Sequence, residues 1–373
     1  MTIGLYIHVP FCAARCSYCD FYSTVNDGSR VDRYLKALEV ELERLPPDFS
    51  PDTVFVGGGT PTALSVEQYA SMLKTVRSRI DFSNVIEFTS EANPGTLTPE
   101  KLAAMKEGGI DRVSIGVQSF NPEALRLLGR IHTADQAVES FHALRAAGFE
   151  NVNIDLIQSI PGMTPKAVLA DASRVVELAP EHISYYNLIY EAGTPLTRQR
   201  DAGQIVPPGD DEEADNYYAV KDLLESAGYD HYEISNFSRP GRRCLHNVLY
   251  WQGGSYFGCG PAAHSHWNGK RFGNVADLAD WCSRMEQGAR PFDEVEELSP
   301  EDKARETLVM WLRMLEGVDA TQFEQCTGFR VDDLCGGALR SLAEEDLLDI
   351  SSGRWGLSRR ALFVCNSVFA ELV

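Results

Sequence analysis

Residues 3–19, IGLYIHVPFCAARCSYC, join a short apolar run to three closely spaced cysteines, Cys12, Cys16 and Cys19. The run Ile3 to Val9 has the short, β-branched, apolar character of a buried strand. The cysteines therefore fall in the loop directly after the first strand. Three thiolates on one loop hold three irons of a cubane, whereas a fully protein-ligated [4Fe-4S] cluster takes four, so one iron stays open to an external ligand. Structural zinc is the competing reading, but it prefers four protein ligands, usually as two separated pairs, and no second CxxC follows.

Outward from this loop, short β-branched runs alternate six times with segments of helical period between residues 3 and 190. Strands are predicted at Ile3 to Val9, Thr53 to Val56, Ile86 to Ser90, Arg112 to Val117, Val152 to Ile157 and Ile183 to Ile189. Helices are predicted near 31–45, 65–80, 99–107, 135–147 and 165–178, opened by capping signals such as Thr98-Pro99-Glu100. Right-handed βαβ crossovers follow, and six units give a partial (β/α)6 TIM-like barrel, an α/β fold. Cys12 to Cys19, Gly57 to Gly59, Glu91, Gln118 and Asp155 all fall at or just past strand C-termini, the rim where βα barrels carry their sites. Residues 195–215 read as a solvated loop feeding a helix at 212–227, and a boundary falls near residue 292. The remainder reads as a winged-helix-like α+β domain, giving a core barrel at 1–230, an intervening segment at 231–291 packed on it and a C-terminal domain at 292–373.

Composition narrows the function class. The 373 residues are 44% hydrophobic and 24% charged, which excludes a disordered chain, a fibre and a disulfide miniprotein. A net charge of −20 disfavours a nucleic-acid binder, because phosphate contacts need clustered Lys and Arg. Nine cysteines, an odd number with three in one loop, point to metal chemistry in a reducing compartment. No stretch approaches ~18 apolar residues, and the start MTIGLYIHVP has neither a basic lead nor a long apolar run. The expectation is a cytoplasmic protein that is not integral to a membrane.

The CxxxCxxC loop after strand one resembles the signature of radical S-adenosylmethionine enzymes. In that superfamily the open iron chelates the amino and carboxylate groups of S-adenosylmethionine, and an electron from the cluster splits its C–S bond. YIHVPFC (6–12), GGGTPT (57–62), SEANPGTL (90–97), GVQSF (116–120) and DLIQSIPG (155–162) are further similar to segments shared by the oxygen-independent coproporphyrinogen dehydrogenases and their relatives, the HemN and HemW proteins. The resemblance implies cluster ligation by Cys12, Cys16 and Cys19. It also implies S-adenosylmethionine contact by Tyr6, Tyr18, Gly58, Gly59, Thr60, Glu91, Gln118, Arg130 and Asp155, with Ile189 as a further lining residue.

Two features separate the cousins. The dehydrogenase signature carries another cysteine two residues after the third, whereas here Asp20-Phe21 follows Cys19. His246-Asn247-Val248-Leu249-Tyr250-Trp251 matches the HNxxYW motif of HemW haem chaperones. A neutral imidazole at His246 is expected to ligate haem iron, with Tyr250 and Trp251 as flat apolar surface for the macrocycle. His264 offers a second imidazole. Arg242 and Arg243 are either propionate partners or a solvated surface pair. The resemblance therefore implies a haem chaperone that holds a [4Fe-4S] cluster, S-adenosylmethionine and haem and passes haem to a respiratory haem protein. The alternative is coproporphyrinogen III dehydrogenation. A homodimer and a transient contact with a membrane surface are compatible with either.

Overall fold

The structure, a computed structural model, describes residues 2–351 and 353–372. Six strands, Ile3–Val9, Thr53–Gly58, Glu87–Ala92, Arg112–Gln118, Val152–Gln158 and His182–Asn187, pair in parallel and in chain order. Their alternation sorts the side chains. Leu5, Ile7, Val9, Val54 and Val56 are fully buried in one apolar core with Tyr34, Leu38, Leu73 and Val76 of the outer helices. The opposite, concave face takes Tyr6, Phe55, Glu91 and Asp155. The outer helices start where local chemistry dictates: Ser65 and Thr133 form capping boxes with Gln68 and Gln136, and Thr98 and Thr164 cap helices with proline in the first turn.

The barrel does not close. Two short antiparallel strands, Asn236–Ser238 and Asp230–Glu233, extend the sheet beyond His182–Asn187. At the other end a seventh parallel strand, Ser255–Cys259, pairs with Ile3–Val9, and His264–Trp267, Lys270–Gly273 and Glu296–Glu297 follow antiparallel. The segment 231–291 is thus woven into both ends of one twelve-stranded sheet, where the sequence shows no clear strand pattern.

One helix, Leu245–Trp251, carries the chain from one end of this sheet to the other. Its amino terminus is fixed by the buried Glu87 carboxylate, which accepts from the backbone N–H of Leu245 at 2.9 Å and of His246 at 3.0 Å. The stretch 195–215, read as a loop, contains a further helix, Pro195–Asp201, capped by Thr194.

Beyond Pro300 the order is helix, short strand, two helices and a hairpin, with its own core of Leu308, Leu312, Phe323, Leu339 and Trp355. This is the winged-helix-like arrangement. It docks on the barrel through Leu315 N–H to the Tyr232 carbonyl at 3.0 Å and Trp311 Nε1 to the Gln252 carbonyl at 3.2 Å. Among the described residues no helix is long and apolar enough to cross a membrane.

Replacing Glu87 by alanine leaves two helix N–H groups at the barrel floor without their acceptor. Each such loss costs about 1–3 kcal/mol, so Glu87→Ala is expected to destabilise the chain by roughly 2–5 kcal/mol. The fall in urea midpoint measures this, and an unchanged midpoint refutes the anchoring role.

Candidate functional site

The cysteine loop is clamped before any metal enters. Ser17 N–H donates to the Leu128 carbonyl at 3.0 Å, its hydroxyl donates to the Leu127 carbonyl at 2.7 Å, and its own carbonyl accepts from Leu196 N–H at 2.8 Å. Cys12, Cys16 and Cys19 are free thiols of intermediate exposure. Thr60 Oγ1 donates to Cys12 Sγ at 3.6 Å, and Arg130 Nη1 donates to Cys16 Sγ at 3.3 Å. Burial pushes the Cys12 thiol up and that of Cys19 up to about 11, so in the metal-free chain both keep their protons and metal binding must release them. Donors aimed at sulfur are what iron-bound thiolates accept. Among the described residues no three His, Cys, Asp or Glu converge on one ion, a convergence that cysteines spread over three irons do not need.

The neighbouring rim is built around Asn93, which the sequence reading passed over although it sits two residues from Glu91. Its amide donates to Thr60 Oγ1 at 2.7 Å and its Oδ1 accepts from Arg130 Nη2 at 2.6 Å, so one side chain ties the two sulfur-facing donors together. Gly58 lies at φ +99°, a conformation side chains rarely adopt. A Cβ on Gly59 would sit 2.7 Å from the Val9 carbonyl and 2.8 Å from that of Phe11. Only glycine lets these backbones meet. Gln118 is buried at φ 70°, at a register shift beside Gly116, a strained setting of a kind that clusters at functional sites.

Two carboxylates complete the rim. Glu91 accepts from Gly58 N–H at 3.1 Å, and burial together with Asp155 pushes its pKa up to about 8. Burial also raises Asp155, against hydrogen bonds from Asn153 at 2.6 Å and Ser114 at 3.3 Å. This pair favours a cationic partner, and S-adenosylmethionine carries both a sulfonium and an ammonium. The donor set thus fits the group. Tyr18 packs with Leu128, Leu188 and Leu196 beside the loop, while Ile189 is 62% exposed, two residues beyond its strand.

Adjoining the loop is a cavity of about 670 Å³, within the size range of cofactor sites. Asp20, Phe21 and Tyr22, which directly follow Cys19, form one wall, and Tyr6 and His8 belong to the first strand. Tyr250, Trp251 and Tyr256 add aromatic surface. His264, His266 and Arg271 come from the edge strands, and Lys303, Glu306 and Met310 from the first helix of the C-terminal domain.

Comparison with known proteins agrees with this architecture. A family model described as the Radical SAM superfamily matches residues 6–175, and one described as the HemN C-terminal domain matches residues 298–364. Heme chaperone HemW of Bacillus subtilis (strain 168) is 35% identical over 372 residues, covering 99% of this chain and 98% of the relative. Heme chaperone HemW of Escherichia coli (strain K12) is 32% identical over 378 residues, covering 98% and 97%. The chain belongs to the HemW family. The solved coproporphyrinogen III oxidase HemN from Escherichia coli shares the fold, with a TM-score of 0.86 at 24% identity over 100% of this chain and 90% of that one.

The HemW-type motif lies differently from what its residue types suggest. Tyr250 and Trp251 line the cavity as expected, but His246 does not. It is 1% exposed, stacks on Phe55 with ring centroids 5.2 Å apart, and has both nitrogens engaged. Nδ1 meets Thr53 Oγ1 at 2.8 Å and Nε2 meets the Tyr250 hydroxyl at 2.9 Å. In this arrangement the ring supports Tyr250 from beneath and presents no free lone pair to the cavity. Arg242 and Arg243 also stay outside: Arg243 pairs with Glu316 at 3.2 Å and stacks over Tyr232. The cations that reach the cavity are Arg271 and Lys303. His264 lines it as anticipated, joined by His266, which the strand alternation of His264-Ser265-His266 places on the same face.

Alanine at Cys12, Cys16 and Cys19 together is expected to abolish iron and acid-labile sulfide in anaerobically reconstituted protein, with the brown absorbance lost and the fold kept. Iron retained by the triple variant refutes the loop as the cluster site.

Proposed function

We propose that the chain is a cytoplasmic haem carrier, holding a [4Fe-4S] cluster and S-adenosylmethionine at the rim and one haem in the adjoining cavity, and passing that haem to respiratory haem proteins. The observation that carries this reading is the cavity itself. Flat aromatic walls, imidazoles and two cations lie together against the cysteine loop, in a chain whose relatives are named heme chaperones. Tyr6, Tyr250, Trp251 and Tyr256 offer faces to a macrocycle. Arg271 and Lys303 offer charge-assisted hydrogen bonds to carboxylates.

At the rim, Cys12, Cys16 and Cys19 would hold the cluster, with Thr60 and Arg130 donating to sulfur. Glu91 and Asp155 would receive the positive charge of S-adenosylmethionine, and Gly58 and Gly59 let the backbone approach it. When bound, the pair supplies one-electron chemistry. The chain's own part is to bind, orient and exclude water from these groups.

Coproporphyrinogen dehydrogenation is the second reading, since the chain shares its fold with the solved coproporphyrinogen III oxidase HemN and has a cavity of about 670 Å³ beside the rim. Asp20 and Phe21, standing where the dehydrogenase signature continues with cysteine, line that space. Haem titration of the anaerobically reconstituted chain separates the two. A stoichiometric haem spectrum and no vinyl product or carbon dioxide from coproporphyrinogen III with S-adenosylmethionine and reductant are expected, and turnover overturns the carrier reading. Arg271→Ala is expected to weaken haem binding several-fold through loss of a propionate partner.

The rim makes its own prediction. Because Glu91 is raised to about 8, it is mostly protonated in the ligand-free site at neutral pH, and a bound cation favours its ionised form. Binding of S-adenosylmethionine therefore releases a proton. Affinity rises with pH by up to about tenfold per unit below 8, and flattens above it. Calorimetry in buffers of different ionisation heat measures the release. The pH slope common to wild type and Glu91→Gln belongs to other groups, and an identical slope in both refutes the assignment.

A further inference from the structure

Three histidines line the aromatic cavity, and their ring nitrogens are not equivalent. His8 has both committed, Nδ1 to the Tyr6 hydroxyl at 3.1 Å and Nε2 to the Tyr22 carbonyl at 2.8 Å. His264 is exposed, its ring lying against Gly273. His266, two residues on along the same strand, differs from both. Its Nδ1 lies 2.9 Å from the Gly254 carbonyl, while its Nε2 is buried with no hydrogen-bond partner, in a residue only 8% exposed.

The tautomer follows from this contact. A carbonyl oxygen only accepts, so Nδ1 carries the proton and Nε2 keeps its lone pair. Burial, with Lys303 and Arg271 nearby, lowers the His266 pKa below its ordinary value, against Glu306 and the Gly254 carbonyl, and the ring is neutral at physiological pH. A buried polar atom without a partner demands an explanation. An imidazole whose Nδ1–H is fixed by a backbone carbonyl and whose Nε2 is bare is the arrangement in which proteins present histidine to a metal.

Neighbouring groups match a metalloporphyrin. Residues directly opposite across a sheet share a face. Tyr256 pairs with His266, and His266 with Arg271, so an aromatic plate, a bare nitrogen and a guanidinium stand in one row across three strands. Tyr256, His266 and Arg271 all belong to the cavity lining. We propose that His266 Nε2 is the protein ligand to the iron of haem bound in this cavity, an assignment that rests on the haem-carrier reading above. The nitrogen lone pair forms a dative bond to iron in place of a solvent ligand, and no electron is transferred. His246, which acts through Tyr250, is then a positioning residue.

The full chain, titrated with ferric haem, tests this. Wild type is expected to show the electronic and paramagnetic resonance signature of axial imidazole. His266→Ala is expected to lose it and to bind haem more weakly by on the order of 10–100-fold, the scale on which metal sites respond to lost support. Free imidazole added to that variant should restore the signature, which also shows that the cavity still forms. His266→Gln, which keeps a polar side chain at the position, gives a second check, with the circular dichroism of both variants reporting the fold. His264→Ala and His246→Ala are expected to retain the axial signature, the latter with reduced affinity. A wild-type spectrum unchanged in His266→Ala, or lost instead in His246→Ala or His264→Ala, overturns the ligand assignment alone. A wild-type chain that takes up no haem overturns the carrier reading and this assignment with it.

Discussion

An open barrel of parallel strands must satisfy a polar interior and cover a seam, and here both tasks fall to one contact: the Glu87 carboxylate on the first N–H groups of helix Leu245–Trp251. An anion at a helix amino terminus is favourable both as an acceptor and for the dipole. The same carboxyl lies near Cys244 and the buried Arg112, and both of these lie by Tyr232, so the barrel floor is a connected polar cluster rather than an apolar plug. The aromatic and edge-strand walls of the cavity follow from this anchor. The helix delivers Tyr250 and Trp251, then the seventh parallel strand, and then the edge strands bearing His264, His266 and Arg271.

At the opposite end of the strands the electrostatic demand is reversed. The floor carboxylate is held by two helix N–H groups, whereas at the rim burial raises both Glu91 and Asp155 against the hydrogen bonds they accept, and Asp155 raises Glu91 further. The hydrogen bonds of Asn93 and Arg130 go instead to Thr60, to the Gly116 carbonyl, to the Cys16 sulfur and to one another. The division of labour is consistent: cations and hydroxyls face the thiols, and carboxylates face the space beside them. A cluster carrying negative thiolates and a ligand carrying positive charge are the species such a split receives best.

Much of this was legible in the residues. The six strands announce themselves by β-branched runs, and the capping boxes at Ser65 and Thr133 place two helix starts to within a residue or two. The cysteine spacing carries the reading of a cluster loop, whereas the roles of Glu91, Gln118, Arg130 and Asp155 come with the family resemblance. Illegible were features made by tertiary pairing alone. Ser255–Cys259 is short and glycine-bearing, and nothing local tells that it runs parallel to a strand some 250 residues earlier. The imidazole of His246 looks available because a motif names residue types, not the face of the helix on which each one lands. Thr53 and Phe55, distant in sequence, decide that it points into the floor. His266 was passed over for the converse reason: its partner is the Gly254 carbonyl, in a turn that sequence pattern does not locate.

The wall supplied by the C-terminal domain sets how tightly the cavity is held. Arg271 pairs with Glu306 and, at 3.0 Å, with Glu296, while Lys303 meets Glu306 at 3.0 Å. These are partly exposed pairs, a class worth about 0–1 kcal/mol each. The docking itself rests elsewhere, on Leu315 N–H to the Tyr232 carbonyl, Trp311 to the Gln252 carbonyl and the Arg313 guanidinium 4.3 Å from the Trp251 ring centroid. Exchanging Glu306 for another carboxylate on Arg271 and Lys303 therefore leaves the main domain contacts intact. A cavity whose cations are held by weak, replaceable partners, within a frame held by backbone hydrogen bonds and aromatic stacking, can admit and release an anionic cargo without unfolding its own walls.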